Sequence, residues 1–151
     1  MIEHPQIIHF PIALFTTAIL TEMLSYFWKK SFFSNVTLFL LILGCLSAFF
    51  ALKTGQNSAE VYQTVDSLKG LIRQHENAGE WVVRLFTISL AAKIVVKFFK
   101  KDLIFIRIII SLIMLGGFLQ LYQAGHFGGK LVFDKGVGVK PMQEIIINPS
   151  E

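Results

Sequence analysis

Each of the four histidines, His4, His9, His75 and His126, stands at the end of an apolar segment, and alternation of those segments through a membrane puts all four on one side. Imidazoles gathered on one face suit nitrogen ligation of a haem iron or of a transition-metal ion. His4 precedes Pro5, and His9 stands two residues before Pro11, in HPQIIHFPIAL. Pro5 suits the first position of a helix, whereas Pro11 frees the carbonyl of Ile7 and bends the chain there. At helical spacing His9 lies above Ala13, Thr16 and Thr17, and His75 above Ala78 and Gly79. With the small stripes Gly44, Ser47, Ala48, Ala51, Gly55 and Gly116, Gly117, these residues predict room for a flat group between helices. The same small residues also serve close packing of membrane helices on their own.

The elements that must position the histidines follow from composition. Of 151 residues, 54% are apolar and 13% aromatic, more than the core of a soluble domain this size requires. Four apolar blocks, about 7–28, 36–52, 77–99 and 103–122, each approach the roughly 20 residues that a helix needs to cross a hydrocarbon core. The expected fold is an all-α integral membrane protein, with four transmembrane helices in an up-down bundle over residues 1–126. Residues 127–151 are expected as an extracytoplasmic tail.

Charge orients the bundle. The short loops Lys29 to Asn35 and Lys97 to Asp102 are dense in lysine and read as cytoplasmic by the positive-inside rule. The N-terminus, the loop from Lys53 to Glu80 and the C-terminal tail then share the outer, slightly acidic face. The net charge of +4 therefore reports topology. No basic stripe with interleaved aromatics is present on a soluble face, so nucleic acid is not an expected partner. The first span lacks the basic n-region of a cleavable signal peptide and is expected to stay in the membrane.

Within the outer loop, Val61, Val65, Leu68 and Ile72 recur at helical spacing, which predicts an amphipathic interfacial helix over about 58–72. A turn at Gly55 and Asn57 precedes it, and Gly70 is a candidate break before the third span. The tail FGGKLVFDKGVGVKPM alternates glycine with β-branched and aromatic residues and reads as irregular or hairpin-like. The apolar run Ile145 to Ile147 is a candidate docking segment. Glu22 and Lys93 lie at similar depth near the cytoplasmic ends of their helices, and an ion pair is the economical reading of two intramembrane charges. Glu80 and Arg84 form a favourable i, i+4 pair, and Arg107 is close enough to the inner surface to snorkel. The single cysteine, Cys45, supports neither an intrachain disulfide nor a two-cysteine metal site, and no CxxCH motif occurs for covalent haem.

In an up-down bundle the first and third spans run in the same direction as diagonal neighbours, so His9 and His75 are expected to face each other as axial ligands of a b-type haem. His126 and His4 would hold a second haem, or support the first. Gln120 and Gln123, one turn below His126, are candidate donors to a quinone or to haem propionates. The same imidazoles, with Glu76 and Glu80, also suit Zn, Cu or Fe. No nucleophile with a partnered base, phosphate loop or H-E-x-x-H motif points to a stand-alone enzyme.

The start HPQIIHFPIAL, the segment TGQNSAE followed by a helix and then His75-Glu76, and the ending GHFGGKLVFDKGVGV together resemble the uncharacterised bacterial four-helix membrane proteins grouped as a domain of unknown function. The resemblance spans essentially the whole chain. It implies motif histidines at His4, His9, His75 and His126 and motif glycines at Gly55, Gly128, Gly129 and Gly136. Phe133 stands where relatives often carry Tyr, and Lys135 where they carry His. Members of that group occur fused to, or beside, Rieske iron-sulfur or c-type cytochrome modules, which implies redox work by analogy.

The combined expectation is a membrane b-type cytochrome, or a haem-binding subunit of a larger complex or homo-oligomer, in the bacterial inner membrane with both termini periplasmic. It would pass electrons between quinone and a periplasmic c-type cytochrome or Rieske protein. The rival expectation is a transition-metal-binding, or non-redox assembly and docking, membrane protein.

Overall fold

A computed structural model describes residues 7–28, 31–62, 64–100 and 103–139. Four helices account for nearly all of them: α1 (His9–Phe27), α2 (Ser31–Ala59), α3 (Asp66–Phe98) and α4 (Ile104–Phe133), with a 3-10 turn at Glu60–Tyr62 between α2 and α3. No strand occurs among the described residues. Helix α1 packs along α2 and α3 along α4, α2 joins the two hairpins through α3, and α1 touches α4 over a smaller area.

The interior is polar in places and the exterior apolar. Glu22, Ser25, Thr37, Ser89 and Lys93 are buried, whereas Phe27, Phe39, Phe50, Phe98, Phe105 and Leu112 are among many large apolar side chains left exposed. Such a surface suits hydrocarbon as its solvent. Helices α1, α2 with the turn that follows it, and α4 are each long and apolar enough to span a membrane. Helix α3 is not in that set because Arg84, Lys93 and Lys97 lie within its apolar stretch.

Hydroxyls inside the helices are satisfied locally. Thr16, Thr17, Thr37 and Ser89 donate to the carbonyl four residues back, and Thr21, Ser25 and Ser47 to the one three back, so no bare donor faces lipid from these positions. Between helices, Thr21 and Thr37 share a hydrogen bond of 2.9 Å, and Lys97 donates to Asn35 Oδ1 at 2.8 Å.

Two boundaries differ from the sequence expectation. The separate interfacial helix over 58–72 is not found: its first residues complete α2 and its last belong to α3. Leu68, buried at 3% exposure, and the half-buried Val65 and Ile72 form the inward face of the start of α3, while Val61 points out. Gly55 and Gly70 both lie inside helices; the cost of a mid-helix glycine, about 1 kcal/mol, is small against packing along a neighbour. The irregular tail also begins later than residue 127. Helix α4 runs through Gly128 and Gly129 to Phe133, and the chain turns only at Asp134.

That turn is held by specific bonds. The Gly136 and Val137 amides donate to the Val132 and Leu131 carbonyls, and Gly136 has φ of 67°, a left-handed conformation that glycine adopts without Cβ strain. The Gly138 amide then donates to Tyr62 Oη at 3.0 Å, pinning the end of α4 to the α2–α3 turn, where Tyr62 is buried. The run Ile145 to Ile147 and the remainder of the tail lie outside the described residues.

At the centre, Phe15 of α1 and Phe86 of α3 stack with ring centroids 3.7 Å apart and planes 5° from parallel. Glycines wall this pair on both sides: a Cβ on Gly44 of α2 would meet Phe15 at 2.6 Å, and one on Gly117 of α4 would meet Phe86 at 2.8 Å. The space expected beside these glycines is therefore filled by the protein's own rings. Leu41, Ala48, Val82, Ile110 and Met114 complete the core around the stack.

Candidate functional site

One histidine of the set sits in a built environment. His75 lies in the third turn of α3, half-buried, and its Nδ1 is 2.9 Å from the Ala124 carbonyl oxygen of α4. A carbonyl only accepts, so Nδ1 carries the proton, and in the neutral ring the lone pair resides on Nε2. Gly128, one turn after Ala124, lets the ring lie flat on α4: a Cβ there would stand 3.1 Å from His75 Cε1. Gly116, Gln120, Ala124 and Gly128 recur every four residues on α4, and this stripe of mostly small residues lets the two helices approach.

The other described histidines, His9 and His126, are not drawn into that seam. His9 is the first residue of α1 and is exposed. The diagonal pairs Phe15–Phe86 and Glu22–Lys93 are both separated by 71 residues, which fixes the register of the parallel helices α1 and α3. On that register His9 is level with Glu80, and His75 lies five residues further out, about 7.5 Å by helical rise. His126 is exposed, its ring 5.6 Å from that of Phe127. Two residues separate it from both Ala124 and Gly128, so it projects from the side of α4 away from His75. Gln120 is half-buried on the stripe facing α3, and Gln123 is exposed on the side of His126. His4 lies outside the described residues. Among the described residues no group of three or more His, Cys, Asp or Glu is placed to hold a metal ion.

Charged groups surround the same end. Glu80 and Arg84 form the expected pair at 2.7 Å, with the guanidinium also 5.2 Å from the Trp81 ring centre. Asp66 opens α3 beside Lys69 at 2.5 Å, and the hydrogen bond from Lys69 holds its carboxyl below the usual aspartate range. A small cavity of about 170 Å³ lies between Tyr62, Lys69, Ile72, Arg73 and Glu76.

A second polar constellation lies deep in the other half of the bundle, and the sequence indicated only its first pair. Lys93 Nζ meets Glu22 Oε2 at 2.5 Å with both side chains buried, whereas Glu22 Oε1 is buried without a hydrogen-bond partner. Beside it, Arg107 donates to Ser25 Oγ at 2.6 Å and lies over the Tyr26 ring, and Tyr26 Oη and Ser111 Oγ share a hydrogen bond of 2.9 Å. Ser25, Tyr26, Arg107 and Ser111 carry no motif spacing in the sequence. Only the antiparallel approach of α1 and α4 brings them together.

Residues 3–141 match a family described as "Predicted membrane protein (DUF2231)". The chain belongs to this family. The match takes in both terminal segments whose motifs pointed to such a family, and the family description assigns a membrane location without an activity. No curated protein and no solved structure matches the chain.

Proposed function

We propose that this DUF2231 protein is a haem-binding membrane subunit that moves electrons at the His75 end of its bundle. The observation that carries the reading is the bond from His75 Nδ1 to the Ala124 carbonyl. A histidine that ligates a metal characteristically donates its other ring nitrogen to such an acceptor, which fixes the tautomer and raises the basicity of the ligating nitrogen. The donor chemistry of His75 thus fits a haem iron through Nε2. The middle of the bundle does not fit one, because Phe15 and Phe86 occupy it. A haem would lie beyond that stack, held by His75 with His9 or His4 as a second imidazole; His126, on the far side of α4, would serve a separate site. When bound, haem supplies one-electron transfer, and two imidazoles on its iron exclude oxygen activation.

The lysine-rich loops support an orientation with the His75 end on the periplasmic side of a bacterial inner membrane. Helix α3 serves as a fourth span in this reading, its Lys93 neutralised by Glu22. Gln120 and Gln123 are then donors for a quinone or for propionates. A periplasmic c-type cytochrome or Rieske protein is the partner class.

A second reading is favoured by the cavity beside Glu76, which has room for an ion and not for a macrocycle. In this reading Glu76, which lines the cavity, and its neighbour His75, which lies outside the cavity wall, bind Zn, Cu or Fe, and the exposed Tyr122 and Phe133 belong to a docking surface. A dithionite-reduced minus air-oxidised spectrum, with haem and metals quantified on the same detergent-purified sample, separates the readings. A low-spin α band with one or two haems per chain upholds the first. Stoichiometric metal without haem selects the second, and absence of both after expression with ample haem and metal overturns both as cofactor sites.

A further inference from the structure

The cleft between α1 and α4 lies in the opposite half of the bundle from His75 and holds about 310 Å³, lined by Glu22, Met23, Tyr26, Ser111, Leu112 and Met114 among others. Its walls are almost wholly apolar side chains, and Met23 and Leu112 are exposed on the outer surface of the bundle, so the cleft opens sideways toward lipid. Glu22, 2% exposed, is the charged residue in this lining. Lys93 satisfies only its Oε2, and Oε1 is left buried with no hydrogen-bond partner. A carboxylate oxygen stranded in an apolar setting is costly unless a donor reaches it, and charged acceptors make the stronger hydrogen bonds. The hydroxyls of Tyr26 and Ser111 bond each other, an arrangement with spare acceptor capacity for an added donor.

We propose that this cleft binds a lipid-soluble ring carrying a hydroxyl donor, of the quinol class, entering from the bilayer and donating to Glu22 Oε1. The preference for a ring over an alkyl alcohol comes from the lining: two thioethers, Met23 and Met114, and the Tyr26 ring are favourable contacts for an aromatic face or edge. The proposal does not rest on the haem reading. The two sites lie in opposite halves of the bundle and fail or stand separately.

The test uses the full chain in phosphatidylcholine nanodiscs with 13C-methyl-labelled methionine. Of the four methionines, Met23 and Met114 line the cleft and report binding, and Met1 and Met142 serve as internal references. Decylubiquinol, held reduced, is titrated alongside its dimethyl ether and 1-decanol. The expected result is a saturable shift of the Met23 and Met114 methyls with the quinol, at least tenfold weaker binding of the ether, and no saturable shift with decanol. Leu112→Trp, which fills the cleft without touching the ion pair, should weaken quinol binding at least tenfold at an unchanged melting temperature. Equal affinity for quinol and ether, or equal response to decanol, overturns the hydroxyl-ring assignment. Unmoved cleft methyls, or full binding by Leu112→Trp, overturns the site.

Discussion

Phe15 and Phe86 meet face to face across the diagonal of the bundle, in a near-parallel stack at 3.7 Å that aromatic pairs do not ordinarily choose. The arrangement is imposed by its walls, since only glycine backbone at positions 44 and 117 leaves a slot two rings thick. Any side chain added at either wall must displace a ring. Gly44→Ala and Gly117→Ala are each expected to destabilise the bundle by about 1–3 kcal/mol, the range for overpacking a filled core. Phe86→Ala should cost about 3–5 kcal/mol. Reversible denaturant unfolding in mixed micelles reads all three, and wild-type stability of Gly44→Ala would contradict the slot.

The buried pair Glu22–Lys93 predicts a strong asymmetry between single and double changes. Lys93→Met alone strands the Glu22 carboxylate and should cost about 3–5 kcal/mol, whereas removing both charges in Glu22→Gln, Lys93→Met should restore most of that loss. A double-mutant cycle on unfolding free energy measures the coupling. Additive effects would show that the charges act independently.

At the opposite end, the role given to His75 can be probed without touching the imidazole. Gly128→Val places methyl groups where the His75 ring lies and should displace it from the Ala124 carbonyl. Under the haem proposal, His75→Ala abolishes the low-spin spectrum and Gly128→Val lowers haem occupancy several-fold, with helicity by circular dichroism retained in both. Full occupancy in Gly128→Val would separate the ligand role from the seam.

Among the described residues, a side-chain hydrogen bond that a conservative change removes holds the chain after α4. Tyr62→Phe deletes the acceptor for the Gly138 amide and should cost about 0.5–1.5 kcal/mol locally. Hydrogen exchange at residues 136–139 is expected to rise while exchange in the middle of α4 is unchanged.

Acid should loosen the first turn of α3 before it touches the core. The folded-state carboxyl of Asp66 titrates below its unfolded value of about 3.9. Its contribution is therefore present above that value and is lost as pH falls through the lowered one. Asp66 is fully exposed, so the effect is confined to fraying, visible as faster exchange of the amides of residues 67–70 below about pH 4. Asp66→Asn should remove the pH dependence.

The four helices, three of them apolar enough to span a membrane, are legible because hydrocarbon imposes length and composition on a helix, Glu22–Lys93 because charge at that depth requires a partner, and Glu80–Arg84 because its i, i+4 spacing stacks the two side chains. The continuation of α2, α3 and α4 beyond the apolar blocks is not. Gly55, Gly70, Gly128 and Gly129 look like breaks when weighed by local propensity, whereas in the bundle packing along neighbouring helices overrides it. The glycines at 44 and 117 stay ambiguous in the sequence for a related reason, since room for a flat group and close helix packing both fit them. A small residue announces a close approach without saying whether a ligand, a backbone or a ring makes it. His126 and His75 share an end of the bundle in both readings, but the face each occupies depends on how α3 and α4 are rotated, which no single span encodes.

The Glu22–Lys93 contact also bears on how the chain enters a membrane. Helix α1 arrives first and carries a lone carboxylate; α3, the helix with three cations in its apolar stretch, arrives later with the ammonium. A lone charge in a membrane-crossing helix costs up to about 2.5–3.5 kcal/mol at the bilayer centre and less toward the helix ends, where Glu22 and Lys93 stand. Meeting α1 removes one of those three cations from the unpaired charge of α3, so where α3 crosses the membrane as proposed, the first hairpin serves as a template for inserting the second and couples assembly of the bundle to its order of synthesis.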